Sequence, residues 1–182
     1  MSKLETNIIA PSTGTTITLG ESGDTVALGS GATQTGFGGT MTPSFLAYVS
    51  TSSSLSSGSY TKVQFNSELF DSDSCYDNAT NYRFTPTSSG KYFLSTICRV
   101  DSIDSGAPIE ISIYKNGNGQ LNFRHTPYNT TSSPVSIGEN LIVTANGTTD
   151  YFEVYIYQNS GTRNVIQGST YSSWFGGYKI IE

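Results

Sequence analysis

The stretch Tyr82-Arg-Phe-Thr-Pro-Thr-Ser-Ser-Gly-Lys-Tyr-Phe93 decides how the rest of the chain is read. It predicts a short strand ending at Pro86, a tight turn over residues 87–90, and a long strand from Lys91. Pro86 donates no ladder hydrogen bond, so it caps or bends the first strand. Gly90 supplies a positive φ at the turn exit at little steric cost. Phe84, Tyr92 and Phe93 are large apolar anchors on either side. The pattern F-x-P-x-x-x-G-x-Y reads as a hairpin-like corner in a β-rich protein.

Composition agrees with that reading. The chain has 182 residues, enough for one packed domain with an appendage. Charged residues are 13% and aromatic residues 12%, with 19 glycines, which favours short strands and turns over amphipathic helices. Net charge is −5 and the nine basic residues are scattered, so a nucleic-acid partner is not expected. There is no apolar run long enough to span a bilayer and no apolar signal-peptide core near Met1, so neither membrane insertion nor classical secretion is expected. Cys75 and Cys98 are too few for a disulfide framework; they read as two reduced thiols, with a single bridge as the alternative.

Outward from the opening stretch, the strand over 91–100 is apolar on both faces. Tyr92, Leu94 and Cys98 lie on one, Phe93 and Ile97 on the other. Such a strand is central in its sheet and covered by a partner. Ile109, Ile111 and Ile113 form one row of the next strand, which ends in the hairpin signal Asn116-Gly-Asn-Gly119. Residues 60–66 and 135–145 read as strands, and 52–59 and 68–79 as loops. Over 151–158, Phe152, Val154 and Ile156 alternate with Tyr151, Glu153, Tyr155 and Tyr157. The aliphatic row suits the core. The tyrosine row Tyr151, Tyr155 and Tyr157 suits a subunit interface, where ring faces pack and hydroxyls find partners. Strands at this spacing predict a two-sheet all-β sandwich.

Residues 1–40 differ from residues 41–182. Thr16-Ile-Thr-Leu-Gly20 recurs as Thr25-Val-Ala-Leu-Gly29, each unit followed by a polar turn. Two such strands expose one thin apolar face and form no core alone, so they need copies of themselves. The expectation is a β-repeat stalk or oligomerisation segment, the alternative a disordered leader.

Residues 43–182 resemble the C1q/TNF-like jelly-roll family. The matching residues are Phe45-Leu-Ala47, Val63, Phe65-Asn66, Tyr76-Asp77, Phe84, Pro86, Gly90, Tyr92, Phe93 and Tyr114-Lys-Asn-Gly117. The closing Phe175, Gly177 and Tyr178 of Trp174-Phe-Gly-Gly-Tyr-Lys-Ile-Ile181 complete the set. The resemblance implies a ten-strand jelly-roll sandwich that assembles as a homotrimer and binds macromolecules rather than catalysing. The chain departs from animal members in lacking a Gly-X-Y collagen-like stalk. Its segment from Pro11 to Val26 instead resembles marine bacteriophage tail-fibre and structural proteins. Together these imply a virion protein assembled in the host cytoplasm, either a receptor-binding tail-fibre tip or a surface (capsid) decoration. It would bind host-surface glycan or protein, and other virion proteins through its N-terminal segment. The alternatives are a purely structural trimerisation or capsid module without ligand, and a small carbohydrate-active enzyme.

No catalytic constellation supports the enzyme reading. The one histidine, His125, has no sequence signature around it, and no G-x-S-x-G, zinc spacing, P-loop or dinucleotide fingerprint occurs. The contact loops are 52–59, 71–79, 126–134 and 159–172, with Tyr76, Tyr128 and Tyr171 as candidate ligand-binding aromatics. In the acidic loop, Asp71 and Asp73 match the first ligands of a calcium loop. Cys75, Tyr76 and Tyr82 stand where its later residues belong, so it fails as an EF-hand. Family members often bind calcium through loops or near the trimer axis, which leaves calcium at Asp71, Asp73 and Asp77 as the one cofactor to test.

Overall fold

The computed structural model describes residues 9, 11, 13–18, 21–27, 29–32, 41–128, 131–167 and 171–181. The chain falls into two compact units, Met1–Phe37 and Gly38–Glu182. The described residues of the first unit are all exposed and include turns but no strand. Leu19, Gly20 and Leu28 of the repeat, and residues 33–40, lie outside the described residues.

The second unit holds fourteen strands and no helix among its described residues. They are β1 (Ser44–Tyr48), β2 (Ser53–Leu55), β3 (Tyr60–Lys62), β4 (Ser67–Asp71), β5 (Tyr76–Asp77), β6 (Arg83–Phe84) and β7 (Ser89–Ile103). There follow β8 (Ile109–Lys115), β9 (Asn118–Gly119), β10 (Phe123–His125), β11 (Ser133–Asn146), β12 (Phe152–Gln158), β13 (Arg163–Val165) and β14 (Trp174–Lys179). One antiparallel sheet runs β2-β13-β7-β14-β1-β4, with β11 also on β7; the other runs β10-β8-β12-β6-β5, with β3 on β12 and β9 on β8. The fold is the expected all-β two-sheet jelly-roll sandwich.

The opening stretch is a corner and not the expected hairpin, because its two strands do not pair with each other. β6 belongs to the second sheet and β7 to the first, so the corner carries the chain across the sandwich. Phe84 is fully buried there, stacked 4.3 Å from Phe45 and edge-on to Tyr92 at 5.6 Å. Tyr92 donates its hydroxyl proton to the Ser88 carbonyl at 2.6 Å, tying the long strand to its own turn. Gly90 has φ 141° and lies within β7, opposite Ala145.

The core lies between the sheets. Tyr92, Leu94, Cys98 and Val100 of β7 meet Ile109, Ile111 and Ile113 of β8 and Phe152, Val154 and Ile156 of β12, all essentially inaccessible. The rows follow from strand alternation. Asn116 and Gly117 form the two-residue hairpin turn between β8 and β9, with φ of 53° and 78°, as the Asn-Gly signal predicts. Both cysteines are free and buried.

Three readings need correction. Residues 52–59 contain β2, because Leu55 is buried and pairs with Arg163 of β13. Residues 68–79 contain β4, which pairs with β1, and β5, which pairs with β6. The strand over 60–66 is regular only through Lys62, although Val63 and Phe65 beyond it are fully buried.

Candidate functional site

The outward face of the first sheet is built by the registers of five strands. Leu46 of β1 lies between Gly176 of β14 and Phe70 of β4. Ser95 of β7 continues that row to Asn140 of β11. A second row runs Ser44, Tyr178, Phe93, Ile142, and a third Tyr48, Trp174, Ile97, Gly138. No charged residue stands in these three rows.

Several of these side chains are open to solvent: Phe70 is 49% exposed, Tyr178 40% and Ile142 62%. Phe93 and Tyr178 pack at 5.6 Å, and Tyr171 lies edge-on to Tyr48 at 4.6 Å. Gly176 makes the face concave. A Cβ there would lie 2.8 Å from Leu46 Cδ1 and 3.0 Å from the Phe45 carbonyl. With Ser95 beside it, the centre is a shallow hollow of about 270 Å³ rimmed by Leu46, Phe70, Phe93, Trp174 and Tyr178. Past the rows, charge returns at Lys91 and Arg99 of β7, whereas Glu68 of β4 stands opposite the buried Ala47, on the other side of the sheet. Burial, then Asp71 and Asp77, pushes the Glu68 carboxyl above its usual range. A charge-free aromatic hollow with a charged rim is the pattern of an association surface.

The expected interface row, Tyr151, Tyr155 and Tyr157, stands elsewhere. It is on the outward side of the second sheet, and its own chain satisfies it. Arg83 lies 4.4 Å over the Tyr151 ring. Tyr155 packs on Tyr114 at 4.2 Å, and Tyr157 on Tyr60 at 5.5 Å. Lys62 pairs with Glu153 at 2.7 Å and Arg124 with Glu110 at 3.0 Å. Tyr60 donates to Glu110 at 2.5 Å and accepts from the Asn122 side chain at 3.2 Å. Burial and the nearby carboxylates push both Tyr60 and Tyr155 up to about 12. Ser112 donates to the Leu121 carbonyl, so the segment after β9 crosses this face and covers part of it. The alternation of the sequence is right, but its outward row is already partnered within the chain.

The three candidate ligand aromatics are not brought together. Tyr76 is 6% exposed and stacks 5.2 Å from Phe45 in the core, so it is a packing residue and not a contact platform. Its buried hydroxyl has no hydrogen-bond partner among the described residues. Tyr128 is 83% exposed on the loop beside Gly106. Tyr171 is 47% exposed and flanks Tyr48.

The acidic loop is not arranged as a metal site. Asp71 accepts the Tyr76 N–H at 2.7 Å and the Asp73 N–H at 3.4 Å. Asp77 accepts the N–H groups of Ala79, Thr80 and Asn81 at 2.9–3.1 Å and the Asn81 side chain at 2.7 Å. Those bonds, the Thr80 amide first, pull its carboxyl down to about 2. Among the described residues no three His, Cys, Asp or Glu side chains converge to hold an ion. The lone His125 is exposed on β10, and no nucleophile–base pair forms around it among the described contacts.

Sequence reasoning missed Leu46, Phe70, Trp174 and Tyr178 as members of one surface. The signal that pointed there was Phe93 and Ile97, apolar on the second face of a strand already buried on its first.

No family model and no curated protein sequence matches the chain. Solved structures do. It is similar to the Eiger TNF of S. frugiperda, with TM-score 0.58 and 13% identity, over 75% of this chain and 91% of that one. It is similar to the globular domain of the zebrafish complement 1qA protein, with TM-score 0.52 and 16% identity, over 76% and 96%. It is also similar to murine APRIL, with TM-score 0.54 and 11% identity, over 75% and 98%. The fold of this chain is thus the jelly roll shared by TNF and C1q domains.

Proposed function

We propose that this protein is a non-enzymatic homotrimeric module whose first-sheet face packs against copies of itself, leaving the loops free to bind. The observation that carries the proposal is the charge-free surface of Phe70, Leu46, Phe93, Trp174 and Tyr178 on the outward face of the first sheet. A surface of this kind left in water costs about 25 cal/mol per Å² of apolar area relative to burial. A monomer would carry that cost on one face while its other sheet is finished by Lys62, Glu110, Arg124 and Glu153. A second copy is the natural cover, because a closed ring of identical chains hides the same patch on every member.

The wider role follows from the resemblance of the N-terminal segment. The module serves as a tail-fibre tip or surface decoration of a virion, with threefold display raising the avidity of weak loop contacts for host-surface glycan or protein. Tyr128 and Tyr171 are exposed aromatics of the candidate contact loops.

Sedimentation velocity of the full chain at micromolar concentration tests the assembly. A mass near three chains is expected, and Phe93→Asp should return it to one chain with the same far-UV spectrum. A wild-type monomer would overturn the reading. Blocking of virion adsorption by the purified protein tests the receptor role, and no blocking by a confirmed trimer leaves the purely structural role.

A further inference from the structure

The described residues of the first unit include turns and no strand. Gly14, Gly23 and Gly31 hold positive φ values of 78°, 98° and 83°. Two of these glycines close β-turns of the same form. Asp24 N–H donates to the Glu21 carbonyl at 3.0 Å, and Ala32 N–H to the Gly29 carbonyl at 3.0 Å. The first turn is locked from the other side as well, since the Glu21 N–H donates to the Asp24 carboxylate at 2.8 Å.

Before each turn lies the same short run. Thr16-Ile-Thr18 and Thr25-Val-Ala27 occupy equivalent places in the sequence repeat. Threonine and β-branched apolar residues between glycine turns favour strands. Yet no backbone hydrogen bond joins 16–18 or 25–27 to another described residue. Ile17 is 41% exposed and Val26 64%. Unpaired strand edges and exposed β-branched side chains are both stabilised by pairing.

What pairs with them is set by the repeat. Two short strands give too little surface for an independent sheet. Copies of the same chain place identical rows at identical heights, so every strand meets an edge of matching pattern. The described part of the unit carries Glu21 and Asp24 as its only charges, both in a turn. Nothing in it offers the basic surface that an anionic partner would require.

We infer that residues 16–18 and 25–27 form an inter-chain β-assembly unit, in which these segments of three copies pair across chains and turn Ile17 and Val26 toward a common axis. The inference rests on the homotrimer reading above, and it extends that assembly beyond the jelly-roll head.

Amide hydrogen exchange of the full chain, at a concentration where sedimentation shows the assembled species, tests it. Amides of 16–18 and 25–27 should exchange at least about tenfold more slowly than unstructured peptide rates, since paired edges are protected. In the double variant Ile17→Asp, Val26→Asp that protection should vanish while the amides of β7 and β8 stay protected. Ile17→Val with Val26→Ile should keep it. Unprotected amides in a wild-type trimer overturn the inference and leave the head assembly standing. Protection in a wild-type monomer overturns it as well, because the pairing would then lie within one chain. A wild-type monomer without protection removes both readings together.

Discussion

Glu139 gives the fold a pH dependence that can be worked out from its surroundings. It lies on β11, is 8% exposed, and its Oε2 accepts the Ile113 N–H of β8 at 2.8 Å. The side chain thus bridges the two sheets. Burial pushes its carboxyl from an ordinary 4.5 up to about 7, with the Ile113 bond opposing the rise. The folded protein therefore holds this proton more tightly than the unfolded chain does. The stability from this group is fully present below pH 4.5, falls as pH rises from 4.5 through about 7, and is level above that. At full strength the gap corresponds to about 3 kcal/mol. Solvent screening of a partly wet carboxyl reduces it to about 1–2 kcal/mol.

The perturbation is Glu139→Gln, which keeps a carbonyl oxygen for Ile113 and carries no charge at any pH. The assay is urea unfolding of both proteins at pH 4.5, 6, 7 and 8 and one fixed protein concentration, because assembly shifts apparent stability. Contributions common to both proteins cancel in the difference. The wild type should lose about 1–2 kcal/mol relative to the variant between pH 4.5 and 8. A difference that stays constant across that range would refute the reasoning about burial.

Three further outcomes are expected. Phe84→Ala removes a fully buried ring stacked on Phe45 and should cost about 3–5 kcal/mol in urea unfolding. Gly147→Ala places a Cβ 2.3 Å from the Ser89 N at φ 74° and should destabilise by more than about 1 kcal/mol, whereas Gly161→Ala, with the same sign of φ and open space around it, should cost less. Cys98, whose thiol burial pushes up to about 12, and Cys75, also raised by burial, should not react with a thiol reagent at pH 8 until the protein unfolds; rapid modification of the native protein would contradict their burial.

The fold was readable where side chains alternate over several residues. Ile109, Ile111 and Ile113, and Phe152, Val154 and Ile156, announce their core face from period-two spacing alone. Asn116-Gly117 announces its turn because few other pairs accept two positive φ values. The short strands β2, β4 and β5 were not readable. Each is defined by pairing with a distant strand, and β2 offers only Leu55 as an apolar signal. Tyr76 shows the same limit, since nothing local says that a tyrosine in an acidic loop is drawn into the core against Phe45. The tyrosine row over 151–157 was placed correctly on an outward face. Its neighbours Lys62, Glu110 and Asn122 come from far away in sequence, so nothing local announces the partners this row finds within its own chain. Conversely, the first-sheet face is assembled from five separated strands, and only Phe93 and Ile97 hint at it locally.

Trp174 is the one tryptophan of the chain, and it sits in that face between Tyr48 and Ile97. Its fluorescence therefore reports directly on whether the face is covered. Acrylamide quenching measured over a dilution series should show a shielded, blue-shifted indole at high protein concentration that becomes quenchable and red-shifted as the chains separate, and Phe93→Asp should show the separated signal throughout. A Trp174 signal that is quenchable at every concentration, and identical in the wild type and in Phe93→Asp, would contradict the assignment of this face to self-association.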